Sequence, residues 1–171
     1  MWKVPTQTIW QKRQLLGPQD FTPSHPSLRV AGVFNPGAVL WNDSIILLVR
    51  VAEQAAEDRP GWVGLPRWEG GRPVIDWVVE SDVEWIDRRV VRHLSTGLMR
   101  LTFLSHLRVV RLDKGLRSWS CGPALTPTGD SECFGIEDPR ITPIDSACWI
   151  TYVAVSRHGV ATALASTTDF Q

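Results

Sequence analysis

The sequence has no excess of charge of either sign, because 18 Lys and Arg residues balance 18 Asp and Glu residues among 171. Nucleic acids and anionic membranes are bound through positive surfaces, so this balance argues against both as partners. Cysteines are few: Cys121, Cys133 and Cys148 show no C-x-x-C spacing. We therefore expect separate reduced thiols rather than a disulfide framework or a zinc site, and we predict no metal or cofactor.

Long apolar segments and a secretory signal are also lacking. The weakly charged stretch 30–49 is interrupted by turn residues at 35–37 and 42–44, so it predicts two short strands rather than a membrane span. Residues 1–8 contain no apolar signal core and no small-residue cleavage site. This absence predicts a cytoplasmic location.

Helical periodicity is nearly absent, and short apolar runs rich in β-branched residues take its place. Turn sequences such as Asn35-Pro36-Gly37 separate the runs, as is typical of a sandwich, barrel or propeller. The predicted strands are 28–34, 45–51, 74–79, 101–110, 147–155 and 160–165. The charged stretch 52–71 lacks a sustained apolar stripe, and we expect a long loop there.

Two blocks of the sequence resemble each other at an offset of 103 residues. In the first block, Asn35-Pro36 precedes a polar turn at 42–44 and an apolar strand. In the second block, Asp138-Pro139 precedes a polar turn at 145–146 and another apolar strand. Repetition on this scale indicates that one structural unit occurs more than once in the chain.

A second pair of similar segments, 107–113 and 163–169, is offset by 56 residues. The two offsets are close to two units and one unit of about 50 residues, the size of a four-stranded propeller blade. Propellers need about four blades or more to close, and this length supplies only about three and a half. We predict an all-β chain that is an incomplete N-terminal part of a β-propeller. It forms one partial domain over 1–171, of which residues 1–27 are a lead-in segment and 28–171 are blades.

Asp138 is the strongest candidate for chemistry from the residues alone. The proline after it favours an extended or turn conformation that presents the carboxylate, and Arg140 follows closely. A carboxyl group presented in this way can act as a general acid on a glycosidic bond. The alternative is a turn aspartate that caps backbone amides, with Glu137 and Arg140 as a surface pair. Both interpretations stay open at this point.

Asn35 and Arg50 are candidates for contacts to a ligand. Asn35 occupies the repeat position of Asp138, and its amide suits sugar hydroxyls, although a turn residue needs no ligand. Arg50 ends an apolar strand, where its five donors require partners. Those partners are either a bound sugar or a carboxylate such as Glu53 or Asp138.

His106 and His158 lie shortly after serines and flank strands, but no G-x-S-x-G sequence accompanies them. Polar contacts to a ligand are therefore favoured over nucleophilic serine catalysis. The chain also has nine tryptophans, whose flat faces can stack on sugar rings, although most are expected in the core. Four of them lie between residues 60 and 90: Trp62, Trp68, Trp77 and Trp85.

Five motifs, taken in order, carry a resemblance to a known family. They are VAGVFNPGAV at 30–39, LLVRVAE at 47–53, SHLRVVR at 105–111, FGIEDPRIT at 134–142 and TYVAVSRHG at 151–159. They resemble glycoside hydrolase family 130, which contains β-mannoside phosphorylases and β-mannosidases. The resemblance implies a five-bladed β-propeller that binds its sugar at the central axis.

The resemblance also implies roles for individual residues. Asp138 matches the catalytic acid of the family, which is thought to relay its proton to the glycosidic oxygen through the mannosyl 3-hydroxyl. Asn35 and Arg50 match positions that contact the sugar in the −1 subsite, and Arg157 lies where the phosphorylases can carry a phosphate-binding arginine. The predicted substrate-binding residues are thus Asn35, Arg50, His106, Arg140, Arg157 and His158.

We predict from this resemblance an inverting enzyme that acts on β-linked, mannose-containing oligosaccharides. Such an enzyme pairs an acid with water or phosphate delivered to the opposite face of the ring. The long 52–92 segment and the 153–159 stretch favour a hydrolase. The alternatives are a phosphorylase that uses inorganic phosphate as co-substrate and a propeller that binds carbohydrate without catalysis. Whether the chain self-associates stays open. Separation of Asp138, Arg50 and Asn35 by more than about 10 Å would make the catalytic assignment wrong.

Overall fold

The computed structural model describes residues 12–171 of the chain. Twelve strands lie in this range: β1 (Leu28–Trp41), β2 (Ser44–Ala55), β3 (Trp62–Glu69), β4 (Arg72–Val79), β5 (Val83–Asp87), β6 (Val90–His93), β7 (Met99–Leu101), β8 (Leu104–Leu112), β9 (Trp119–Leu125), β10 (Gly135–Ile144), β11 (Ala147–Ser156) and β12 (Gly159–Thr167). Three short 3-10 turns accompany them, and residues 12–171 contain no α-helix. The prediction of an all-β chain is confirmed.

The N-terminal segment is described only in part. Residues 1–11 lie outside the described residues. They include residues 1–8, which lack the features of a secretory signal, and the first part of the predicted lead-in segment. Within the described part of the chain, no helix is long and apolar enough to cross a bilayer.

Two larger antiparallel sheets form the body of the structure. The first has the strand order β1-β2-β8-β9, and the second has the order β10-β11-β12. Between β2 and β8 the chain inserts two small sheets, the β3–β4 hairpin and the three strands β5, β6 and β7. The inserted segment therefore separates strands that are neighbours in the first sheet.

The sequence repeat corresponds to a structural repeat. Both β1–β2 and β10–β11 are hairpins with two-residue turns, which pair Trp41 with Ser44 and Ile144 with Ala147. The turn residue Asp145 has a φ of 53°, the left-handed conformation that tight hairpin turns require. The second pair of similar segments falls on β8 and β12, each the third strand of its sheet. The predicted repeat is confirmed in the described residues.

The main core lies between the two larger sheets. Ile46, Leu48 and Leu107 of the first sheet pack with Ile136 and Ile150 of the second. Burial of each such side chain stabilises the fold by about 1.5–3 kcal/mol. This packing holds the β1–β2 and β10–β11 hairpins in a fixed relation to each other.

A smaller core covers the other face of the first sheet. Phe21, which precedes β1, packs there against Val49, Val51 and Val110. Because β2 is thus covered on both faces, residues 46–53 are all buried, rather than only those at alternate positions.

The expectation of a long loop over 52–71 is wrong. Strand β2 continues to Ala55, and β3 pairs with β4 through a turn at Gly70 and Gly71, whose φ values are 59° and 79°. One of the charges that suggested a loop, Arg67, finds a partner across the hairpin, where it donates to Asp76 at 2.8 Å. Buried and partly exposed positions along β3 are too irregular to give a clear two-residue alternation.

Candidate functional site

The repeated hairpins are interrupted by a β-bulge at the same position. The bulge in β1 contains Asn35 with a φ of 47°, and the bulge in β10 contains Asp138 with a φ of 50°. Asn and Asp are among the few non-glycine residues that adopt this left-handed conformation readily. Each is followed by a proline, Pro36 or Pro139, which has no N–H to donate to the sheet. A bulge of this kind redirects the polar side chain that it carries.

The two bulges bring the side chains of Asn35 and Asp138 together. Asn35 Nδ2 donates a hydrogen bond to Asp138 Oδ1 at 3.0 Å. Arg50, from β2, donates to the same oxygen through Nη1 at 2.9 Å. Two of the residues that sequence reasoning placed in one sugar site, Asn35 and Arg50, are therefore hydrogen-bonded to the third, Asp138.

Arg50 is the buried centre of this group, with 7% of its surface exposed. Its Nε donates to Ser105 Oγ at 3.2 Å, and its Nη2 lies 2.6 Å from Glu137 Oε1. The guanidinium also lies over the rings of Phe34 and Phe103, 4.8 and 5.6 Å from their centroids. Arg50 therefore lies against two carboxyl groups while its own position is held by packing.

The environments of the two carboxylates shift their pKa values in opposite directions. Partial burial pushes the pKa of Asp138 upward, but hydrogen bonds from Asn35 and Arg50 outweigh this effect, so the pKa lies below its usual value. Deeper burial raises the pKa of Glu137, and the charge of Asp138 raises it further, against the opposing charge of Arg50. Asp138 is thus the more readily ionised carboxyl group of the pair.

The predicted residues Arg140, Arg157 and His158 lie outside this hydrogen-bonded group. Arg140 is exposed and donates to the carbonyl of Pro139, although its charge also lowers the pKa of Asp138. Arg157 and His158 are both exposed in the turn between β11 and β12, and Arg157 lies 3.6 Å from Asp130. The structure places one of these three residues, Arg140, near the acid and the other two at the hairpin end.

His106 lies on the other face of its sheet. It follows Ser105, which contacts Arg50, and neighbouring residues of a strand point to opposite faces. His106 is 2% exposed, and its Nδ1 lies 3.3 Å from Glu53, which also accepts hydrogen bonds from Ser24. The structure therefore does not bring His106 to the group around Asp138.

The tryptophans of the inserted segment line separate cavities. Trp62, Trp77 and Trp85 line a groove of about 460 Å³. In this groove the guanidinium carbon of Arg59 lies 4.1 Å from the centroid of the Trp77 ring. Trp68 lines another cavity of about 610 Å³. Asp138 is among the lining residues of neither cavity. Across residues 12–171, no three His, Cys, Asp or Glu side chains are grouped to hold a metal ion.

Sequence reasoning missed four residues that surround Arg50: Phe34, Phe103, Ser105 and Glu137. Phe34 and Glu137 directly precede Asn35 and Asp138, so they occupy equivalent positions in the sequence repeat. This equivalence was the sequence signal that could have placed them beside the site. Ser105 was noticed only as a neighbour of His106. Its contact with Arg50 depends on the pairing of β2 with β8, which places Ser105 opposite Ala52.

Comparisons with known proteins agree on one family. The glycoside hydrolase family 130 model, described as β-1,4-mannooligosaccharide phosphorylase, matches residues 111–171. A β-1,2-mannobiose phosphorylase of Listeria innocua is 31% identical over 169 residues, which cover 95% of this chain and 48% of that protein. A solved structure of a β-1,2-mannobiose phosphorylase from the same species, in complex with β-1,2-mannobiose, superposes with a TM-score of 0.83 at 32% identity. It covers 92% of this chain and 46% of that one, so the chain spans about half the length of these relatives.

Proposed function

We propose that this chain, which belongs to glycoside hydrolase family 130, contains the sugar-binding and proton-donating part of an enzyme that cleaves β-mannosides. The observation that carries the proposal is the convergence of Asn35 and Arg50 on one oxygen of Asp138. An amide, a guanidinium and a partly exposed carboxyl group at one point supply the donors and acceptors that a sugar ring requires. Asp138 has 36% of its side chain exposed, so a ligand can reach it.

The proposed architecture is a five-bladed β-propeller in which the two larger sheets are blades. Strands β1 and β10 then lie side by side as inner strands, so that the bulges face the central axis. Their close approach supports this arrangement, because a Cβ atom on Gly37 would lie 3.0 Å from the carbonyl oxygen of Pro139. Residues 28–171 form the blades, and residues 1–27 form the lead-in segment.

In the proposed reaction, Asp138 is the general acid. Its proton passes to the mannosyl 3-hydroxyl, and the proton of that hydroxyl passes to the glycosidic oxygen as the carbon–oxygen bond breaks. An oxygen of inorganic phosphate forms the new bond to the anomeric carbon from the opposite face, which inverts the configuration. Asn35 and Arg50 hold the carboxyl group and the sugar in place for this transfer.

We favour phosphate over water as the acceptor, because the relatives whose activities are named are phosphorylases. The preference of the sequence motifs for hydrolysis stays a prediction. Arg157, exposed at the β11–β12 turn, is the proposed phosphate contact within this chain, and Arg140 is a proposed sugar contact. The substrate is a β-linked mannose oligosaccharide, with β-1,2-mannobiose as the first to examine.

The test incubates the protein with β-1,2-mannobiose in the presence and absence of inorganic phosphate. We expect mannose 1-phosphate to form only with phosphate. In Asp138→Asn, turnover is expected to fall by about 10²–10⁴-fold, the usual contribution of a general acid. Asp145→Asn is the matched control, since Asp145 also has a positive φ but lies exposed in the hairpin turn.

The outcomes separate the candidate functions. Release of free mannose without phosphate would support hydrolysis. Binding of mannobiose without turnover in either protein would support a carbohydrate-binding role without catalysis. Equal turnover in Asp138→Asn and Asp145→Asn would remove Asp138 from the role of acid.

A further inference from the structure

Glu137 and Asp138 are neighbours in sequence, yet both reach the same guanidinium. Adjacent residues of a regular strand point to opposite faces of the sheet. Here the left-handed conformation of Asp138 at the bulge breaks this alternation. Arg50 Nη1 consequently meets Asp138, and Nη2 meets Glu137. The bulge thus creates a pair of carboxylates that share one cation.

Glu137 is the more buried member of this pair, with 15% of its side chain exposed against 36% for Asp138. Its Oε1 lies 2.6 Å from Arg50 Nη2, but the atoms are not aligned for a hydrogen bond, and this buried oxygen accepts none. Arg50 aligns its Nη1 hydrogen bond on Asp138 instead. Two carboxylates beside one guanidinium carry a net charge of minus one, and such a group takes up a proton readily.

The charged and polar groups around Glu137 come from four elements. Arg50 lies on β2, Ser105 on β8, Asp138 on β10, and Arg89 in the turn between β5 and β6. Burial and the charge of Asp138 raise the pKa of Glu137, while Arg50, Ser105 and Arg89 act in the opposite direction. The balance is a raised pKa for Glu137 beside a lowered pKa for Asp138.

This difference bears on the proposed reaction. The lowered pKa of Asp138 means that its carboxyl group is ionised at neutral pH, whereas a general acid must hold a proton when the sugar is bound. Glu137 shares Arg50 with Asp138, and its pKa is raised rather than lowered.

We propose that Glu137 is a positioning residue that shares Arg50 with Asp138, so that it holds the guanidinium against Asp138 and makes the two carboxyl groups titrate as a coupled pair. The pair, rather than Asp138 alone, then sets the pH range in which the site can protonate a sugar. This inference deepens the proposed function and rests on Asp138 as its acid.

The first test is a carbon-detected NMR titration of both carboxyl groups in the 171-residue chain, which requires no turnover. We expect Glu137 to titrate above the usual range of glutamate and Asp138 below that of aspartate. In Asp138→Asn the titration of Glu137 should move to lower pH, because the like charge is gone and Arg50 is no longer shared. Glu69→Gln is the control, since Glu69 is exposed and pairs with Arg67 near the β3–β4 turn.

The second test is the pH profile of turnover in Glu137→Gln, which keeps the size and the acceptor oxygen of Glu137. We expect kcat to fall with little change in KM, and the high-pH limb of the profile to move to lower pH. An unchanged limb, or a Glu137 that titrates at or below its usual value, would overturn the inference. Because the titration is independent of turnover, a protein that shows the expected titrations but cleaves no mannoside would contradict only the proposed function.

Discussion

The two repeated hairpins have the same backbone but carry different side chains. Both contain a bulge with a residue of positive φ, Asn35 in β1 and Asp138 in β10, followed by proline. In the first copy, the residue before the bulge is Phe34, and it pairs with Arg50 across the hairpin. In the second copy, the residue before the bulge is Glu137, and it pairs with Val153. One copy therefore supplies a cation and an amide, and the other supplies carboxylates.

The residues before the bulges differ in the same way. Phe34 precedes the first bulge and lies against Arg50, whereas Glu137 precedes the second and approaches Arg50 from the opposite hairpin. The backbone repeat thus determines where side chains meet, and the substitutions between copies determine the charge at that point. The candidate site exists only where the two copies face each other.

The largest expected effect comes from breaking the bridge between the hairpins with Arg50→Ala. This change leaves the buried Glu137 without its cation, and removal of one partner of a buried ion pair costs about 3–5 kcal/mol. Denaturant unfolding monitored by tryptophan fluorescence measures the loss of stability. Arg50→Lys keeps the charge but not the fork that reaches both carboxylates, so we expect an intermediate loss.

Arg29→Ala is the matched control, because the Arg29–Asp58 pair also joins groups distant in sequence but is largely exposed. Exposed pairs of this kind contribute about 0–1 kcal/mol. Similar losses for the two alanine variants would mean that Arg50 does not bridge the hairpins in solution.

Much of this arrangement can be predicted from local sequence signals. The six predicted strands coincide with or overlap observed strands, because β-branched runs between turn residues are local patterns. The repeat indicated that Asn35 and Asp138 occupy equivalent positions, and the lone cation of β2 required partners. These signals left ligand contacts and ordinary turn or ion-pair roles open, and the resemblance to the family placed Asn35, Arg50 and Asp138 in one site.

The remaining features depend on contacts that local patterns do not contain. Glu137 would point away from Asp138 in a regular strand, so its role becomes visible only with the bulge. His106 was predicted as a ligand contact, yet its position on the covered face follows from the pairing of β8 with β2. Strand β3 was not predicted, because its buried positions do not alternate regularly and the partner of its Arg67, Asp76, lies across the hairpin.

Substitution of Asn35 sharpens the comparison by changing what the first hairpin presents to Asp138. Asn35→Ala removes a hydrogen bond that lowers the pKa of Asp138, so this pKa should rise. Asn35→Asp makes the two hairpins alike and adds a like charge, so the pKa of Asp138 should rise further. An NMR titration of Asp138 measures both shifts.

The control for Asn35 is Asn42→Gly, since Asn42 has a φ of 44° in the hairpin turn and glycine accepts this conformation without strain. The titration of Asp138 should not change in this variant. A fall in the pKa of Asp138 in Asn35→Ala would contradict the hydrogen bond between the hairpins.

The smallest expected effect concerns Gly37 and Arg140, which occupy one repeat position but differ in the space around them. A Cβ atom on Gly37 would lie 3.0 Å from the oxygen of Pro139 and 3.1 Å from Ile141 Cγ1, so Gly37→Ala must push β1 away from β10. Overpacking of this kind costs about 1–3 kcal/mol of stability. We expect a loss near the lower value, because the neighbouring atoms need to move by only a few tenths of an ångström. Arg140→Ala, at the exposed equivalent position, should change stability by no more than about 0.5 kcal/mol. Thermal unfolding of the two variants measures the difference, and equal stabilities would mean that the hairpins are not in close contact at the site.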